Sequence, residues 1–192
     1  MDFKGHSNGG ILAGSLSVAV GVNTGFLDLQ GPNLEHFINS PLDSGDFKSM
    51  VAVFVTGWFM AVFPDLDTTS TPQKWFIRVM FALLGLVFLA DRMDLFVVLA
   101  FASLLPLLHH HRGWTHWKAA PWLVSVGLAV VFEIFRAKNS WISGFSWNHV
   151  LDFLSRYWMY VFAAVVGHYT HLFLDSKQVR GMWFIRNAED HH

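Results

Sequence analysis

Histidine and aspartate recur in this chain at spacings that suit a metal centre. In order they are Gly5-His6-Ser7-Asn8, Phe63-Pro64-Asp65-Leu66-Asp67, His109-His110-His111-Arg112-Gly113-Trp114-Thr115-His116 and Gly167-His168-Tyr169-Thr170-His171-Leu172-Phe173-Leu174-Asp175. Neutral imidazole and ionised carboxylate are both ligands for borderline divalent cations. Pro64 biases its neighbours away from helix, so Asp65 and Asp67 are expected in an extended stretch, converging on one cation. The plain alternative is a helix-ending loop with solvated acids. His111 and His116 bracket a Gly-containing turn able to aim both rings inward, and Arg112 between them can clamp an anionic oxygen such as phosphate. A polar interfacial loop is the plain reading there, and it suits His109 and His110 better than the other two. His171 and Asp175 lie four apart, on one face of a helix. Ionisable groups within an apolar helix are costly unless compensated, which favours a functional reading of that pair. His168 falls near the same face, and ligand and packed residue are equally good readings of it. His6 alone would be a solvated tail residue; its place relative to the other motifs changes that.

These motifs sit at the ends of apolar segments. Of 192 residues, 53% are hydrophobic and 14% charged, a balance that points to lipid as the solvent. Six segments read as helices: roughly Gly9 to Val22, Met50 to Phe63, Phe76 to Ala90, Leu95 to Leu108, Ala119 to Phe135 and Tyr157 to Leu174. Most fall short of the roughly 20 residues of a spanning helix, so each must extend into its flanks or the bilayer must thin. A soluble helical bundle is the competing architecture. Trp75, Trp114, Trp117, Trp122, Trp158 and Trp183 lie near segment ends, where an interfacial aromatic belt would place them. The chain is therefore expected to be an all-α, multi-pass transmembrane bundle of about six helices, a single domain over residues 1–192.

Six crossings place both termini on one side, with Lys4, Lys74, Arg78, Arg112, Lys118, Lys177, Arg180 and Arg186. Lys48, Arg92, Arg136, Lys138 and Arg156 fall on the other. Eight against five is a modest positive-inside bias that puts the termini in the cytoplasm. His6, Asp65, Asp67, His111, His116, His171 and Asp175 all fall on that side. The opposite connections, Asn23 to Ser49 and Arg136 to Arg156, hold only His36 and His149, read as structural together with Asp91, Asp94, Glu133 and Asp152. The first is acidic through Asp28, Glu35, Asp43 and Asp46 and is expected to cap the far face; the second holds little that looks like chemistry. The absence of cysteine excludes disulfides and thiolate ligands. A net charge of −1 gives no support to a nucleic-acid partner. Met1 to Gly10 lacks the pattern of a cleaved leader and reads as retained.

Taken together and in this order, Gly-His, Pro-Asp-x-Asp, His-Arg-Gly-x-Thr-His and Gly-x-x-x-His-x-x-x-Asp resemble the YdjM-like family of bacterial inner-membrane proteins classed as metal-dependent hydrolases. The resemblance spans Gly5 to about Gly181, and the ordered set of motifs is far more specific than any one of them. It implies a multi-pass inner-membrane protein with His6, Asp65, Asp67, His111, His116, His171 and Asp175 as metal ligands. His168, His109 and His110 depart from the family pattern, and the Asn23 to Ser49 connection reads as an insertion. A remoter similarity to zinc-dependent phospholipase C and P1-type nucleases implies phosphoester cleavage.

Seven His and Asp candidates exceed the needs of one tetrahedral ion, so two or more divalent metals are expected, zinc first, with manganese or iron as alternatives. Asp65 or Asp67 can serve as general base, and Arg112 can neutralise a phosphoryl oxygen. At a cytoplasmic interface the expected substrate is a phospholipid or another amphiphilic phosphoester. The alternatives are a metal, proton or ion pathway and a non-catalytic scaffold.

Overall fold

The computed structural model describes residues 3–28, 46–67, 70–104, 113–139 and 144–176. All regular elements among them are helical: α1 Phe3–Asn23, α2 Phe47–Val62, a 3₁₀ turn Phe63–Asp67, α3 Thr71–Leu89, α4 Met93–Leu104, a 3₁₀ turn Trp114–His116, α5 Ala120–Asn139, α6 Trp147–Arg156 and α7 Trp158–Leu174.

The helices are packed inside out relative to a water-soluble protein. The buried face of α1 carries His6, Gly9, Gly10, Ala13, Gly14, Ser17 and Gly21, at helical spacing, while Leu12 and Leu16 are 72% and 55% exposed. Small residues inward and large apolar residues outward is the pattern of helices that associate in lipid, where close backbone approach replaces hydrophobic burial. It recurs where three helices meet. The Cα of Gly14 on α1 lies 3.0 Å from where a Cβ on Gly57 of α2 would stand, and a Cβ on Gly167 of α7 would overlap the Gly57 carbonyl oxygen. Hydroxyls satisfy themselves on their own helices, the buried Ser17 donating to the Ala13 carbonyl (2.8 Å) and the half-buried Thr170 to that of Val166 (2.8 Å). Below the glycine seam, Leu27, Val53, Met159 and Ala163 form one apolar core cluster; Met60, Phe63, Leu66 and Ala164 form another beside the Phe63–Asp67 turn.

The short apolar segments do extend into their flanks. Phe47–Asp67 (21 residues), Thr71–Leu89 (19) and Ala120–Lys138 (19) are long and apolar enough to cross a membrane, and α6 with α7, bent by 73°, makes a fourth candidate. Local chemistry sets the limits. Asp46 caps α2 by accepting from the Ser49 N–H (3.0 Å), and Ser70 caps α3 by accepting from that of Gln73 (3.3 Å), with Pro72 in the first turn. At its other end α2 stops because Pro64 has no N–H for the Met60 carbonyl and its ring crowds that oxygen. The result is a 3₁₀ turn, not the extended stretch expected from Pro64. α1 begins at Phe3 rather than Gly9, so His6 is a helical residue. Within the Arg136 to Arg156 connection the chain forms α6, a helix that the count of six did not include.

α3 and α4 pack chiefly on each other, and α3 joins the rest through the Phe63–Asp67 turn and Phe76. Their outer faces, with Phe81 at 74% and Leu89 at 82% exposure, are lipid-facing in character.

Candidate metal centre

Four chain segments meet at one end of the bundle: the start of α1, the Phe63–Asp67 turn, the Trp114–His116 turn and the end of α7. His6 is 2% exposed and His171 fully buried, and their ring centroids are 4.1 Å apart. His116 stands beside them, 5.4 Å from the His171 ring. Like-type rings held this closely in an apolar setting require something between or behind them.

The hydrogen bonds fix which nitrogen of each ring faces the cluster. His171 Nδ1 donates to the Ala61 carbonyl (2.9 Å), which leaves Nε2 as the basic nitrogen. His6 Nδ1 donates to Asp65 Oδ2 (2.8 Å) and turns Nε2 toward Asp175 Oδ1, 3.3 Å away. The Thr115 hydroxyl gives its proton to Asp67 Oδ2 (2.9 Å), so it accepts from His116 Nδ1 (3.3 Å). A proton on Nδ1 held by a carboxylate, carbonyl or hydroxyl is the outer-shell arrangement of metal-binding histidines.

Buried polar atoms without a hydrogen-bond partner cluster here too. Among the described residues they include His6 Nε2, His171 Nε2 and Asp67 Oδ1. Burial without a partner costs about 1–3 kcal/mol per group, and the His6 and His171 nitrogens, in rings 4.1 Å apart, are two such groups side by side. His6, His171 and Asp175 each offer one ligand atom, and these lie within 4.8 Å of one another. This donor set fits a divalent cation and leaves room in a tetrahedral shell for one further ligand.

The two aspartates of the Pro-Asp-x-Asp motif do not act alike. In a 3₁₀ turn, side chains two apart point in different directions. Asp65 meets His6 and keeps Oδ1 4.0 Å from His171 Nε2. Asp67 instead takes the Gly113 N–H (3.3 Å) and the Thr115 hydroxyl on Oδ2. The expected direct convergence of both on one cation is thus replaced by one carboxylate at the His6/His171 pair and one that holds the second turn.

Sequence reasoning named His6, Asp65, Asp67, His116, His171 and Asp175, and all six fall in this cluster. His111 and Arg112 lie outside the described residues, as do His109 and His110. His168 is fully buried and donates from Nε2 to the Trp117 carbonyl (2.9 Å), while the Tyr169 hydroxyl donates to that of Lys118 (3.1 Å). Together they tie the Trp114–His116 turn to α7. Thr115 was the residue missed, although its place between Gly113 and His116 in the motif is where a hydroxyl can reach both neighbours. On the far side Glu133 and His149 lie 3.2 Å apart and share Arg136. Glu133 is 1% exposed and binds Arg136 through both oxygens (2.6 and 2.7 Å), and the Ser146 N–H donates to it (2.9 Å).

Fold and site together define a helical integral-membrane protein with a buried His/Asp cluster at one end of its helices. More narrowly, the chain belongs to the YdjM inner membrane protein family, whose profile matches residues 1–185 and so covers all four motifs. No curated protein and no solved structure matches the chain.

Proposed function

We propose that this protein is a membrane-bound metal-dependent hydrolase that cleaves a phosphoester, with its site and termini on the cytoplasmic side. The observation that carries the reading is the pair of buried, unpartnered Nε2 atoms of His6 and His171 beside the Asp175 carboxylate. His6, His171 and Asp175 would hold a divalent ion, zinc first, with manganese or iron fitting the same donors. Such an ion supplies a Lewis acid and a bound water whose pKa is lowered to about 7. Asp67 and His116, whose Oδ2 and Nδ1 lie 3.3 Å apart, are the side chains that would hold a second ion.

The remaining chemistry belongs to the chain. Asp65 fixes the His6 tautomer with Oδ2, and its Oδ1, 4.0 Å from His171 Nε2, is placed to take a proton from an attacking water. Arg112 adjoins Gly113, whose N–H donates to Asp67, and it would neutralise the charge developing on a phosphoryl oxygen. Because the cluster lies at helix ends in a lipid-facing bundle, the substrate is a phospholipid or a similar amphiphile. A transmembrane pathway would instead call for ligands near mid-helix.

The test compares metal content by mass spectrometry in detergent-purified native protein, Asp65→Ala and His171→Ala, and assays hydrolysis of bis-p-nitrophenyl phosphate and of phospholipid. Metal that falls in both variants together with phosphodiesterase activity supports the proposal. Folded native protein that carries no metal, or metal-loaded protein that cleaves a different bond class, rejects it.

A further inference from the structure

The segment that the sequence left without chemistry, residues 144–156, carries its own message. On α6, Trp147, Val150, Leu151, Phe153 and Leu154 occupy one side of the helical wheel, and Asn148, His149, Asp152, Ser155 and Arg156 the other. The split is clean over almost three turns. Part of the apolar side is used internally: Val150 is buried, and the Phe153 ring lies 4.7 Å from that of Phe132 on α5. The rest is open, with Trp147 and Leu151 both 63% exposed, and Phe145 and Trp158 exposed at either end.

Two features fix how this helix lies. α7 runs for 17 residues, about 25 Å, from Trp158 to the metal-centre end of the bundle. α5 runs from beside His116 to Asn139, a similar length. The start of α7 and the end of α5 are therefore both at the membrane boundary opposite the site, and α6 leaves the axis of α7 at 73°. The second feature is the Glu133 carboxylate, which receives Arg136 and the Ser146 N–H and so fastens the start of α6 to the last turns of α5. His149 accepts from Arg136 Nη2 (2.7 Å), which adds a side-chain tie to the same corner.

We infer that α6 is an in-plane anchor: it lies along the bilayer interface opposite the site, with Trp147 and Leu151 in the acyl-chain boundary and Asn148, Asp152 and Ser155 in water. Lipid is the occupant of the open stripe because the stripe continues, through the Phe132–Phe153 contact, the exposed apolar face of α5, where Leu128 and Phe132 are 61% and 53% exposed. An amphipathic helix with Trp and Leu on one side and polar groups on the other is the form that binds such an interface. The inference stands on membrane embedding alone and does not depend on the hydrolase reading.

The chain contains no cysteine, so single-Cys variants report without background. Trp147→Cys, Asn148→Cys, Leu151→Cys, Asp152→Cys and Ser155→Cys, each at a surface position, would be nitroxide-labelled in phospholipid nanodiscs and probed with oxygen and a water-soluble nickel chelate. Labels at 147 and 151 are expected to favour oxygen and those at 148, 152 and 155 the nickel chelate. From 148 to 155 an in-plane helix changes depth by only about 3 Å, whereas a broken span entering the bilayer would descend by about 10 Å. The inference is overturned by that steady descent, by nickel access at all five positions, or by labels at 147 and 151 that neither reagent reaches, which would mean a protein surface covers the stripe.

Discussion

Replacing Gly167 by alanine tests the claim that backbone contact between α2 and α7 builds the metal centre. The added Cβ would overlap the Gly57 carbonyl oxygen and stand 3.0 Å from the Gly57 carbonyl carbon and 3.2 Å from the Ala61 nitrogen. All three are backbone atoms of one helix, so no side chain can rotate away and the helices must separate, by something on the order of 1 Å. A shift of that size forfeits a quarter to a half of the dispersion attraction across the seam. Overpacking of this kind costs about 3 kcal/mol, which in a chain of this length lowers Tm by about 6–12 °C. The same shift stretches the bond from His171 Nδ1 to the Ala61 carbonyl, now 2.9 Å, past the limit of a hydrogen bond. With that ring no longer oriented, metal affinity should fall by about 10–100-fold. Tryptophan-detected thermal unfolding in detergent and a competitive chelator titration read the two effects. Gly85→Ala and Gly127→Ala are the controls, because nothing lies within 4 Å of a Cβ at either position; each should be neutral or stabilising by up to about 1 kcal/mol. If Gly167→Ala behaves like these controls, the seam does not set the site.

Three further outcomes follow from the same geometry. Chelation of bound metal should lower Tm, since an ion present at about 100 times its Kd stabilises by about 2.7 kcal/mol; in His6→Ala the chelator should have a smaller effect, as differential scanning would show. Thr115→Val should destabilise by about 1.5–3 kcal/mol through loss of a buried hydrogen bond to a carboxylate, and by much less in an Asp67→Ala background, which a double-mutant cycle measures. Arg136→Leu should lower the unfolding midpoint more than Glu133→Leu/Arg136→Leu, because the single change strands a buried carboxylate and the double change removes it.

The residues of the centre were legible in the sequence because each carries its own chemistry and because counting apolar segments puts them on one side. Their division of labour was not. Asp65 and Asp67 look equivalent when Pro64 is taken to impose an extended chain, yet the proline instead converts the helix end to a 3₁₀ turn and sends the two carboxylates to different partners. The extent of α1 was hidden for a different reason: its first turns carry Lys4, Gly5, His6, Ser7 and Asn8, so a search by apolar content starts at Gly9 and leaves His6 outside the helix. α6 was missed because it is amphipathic and short, and an apolar run is the wrong template for a helix with one polar side.

An anchor on one face and a centre at the other turn helix length into a statement about depth. His171 lies 13 residues beyond Trp158, about 20 Å along α7. With Trp158 at one edge of a hydrocarbon layer about 30 Å thick, the His171 ring would stand about 10 Å short of the other edge, and Asp175 about 4 Å short. Charged and imidazole groups at that depth need a polar, hydrated notch open to the near face, and the pairing of His6 with Asp65 and Asp175 supplies its lining. A phospholipid carries its phosphate outside the hydrocarbon edge, so headgroup and centre would meet only where the bilayer thins or the headgroup is drawn into the notch. The geometry therefore predicts that hydrolysis of an amphiphilic substrate depends on bilayer thickness. Shortening the acyl chains of the host lipid should raise access of a water-soluble chelator to the centre without changing metal affinity measured at equilibrium. Equal chelation rates in thin and thick bilayers would show that the centre lies in water and that α7 is not held at the depth α6 would impose.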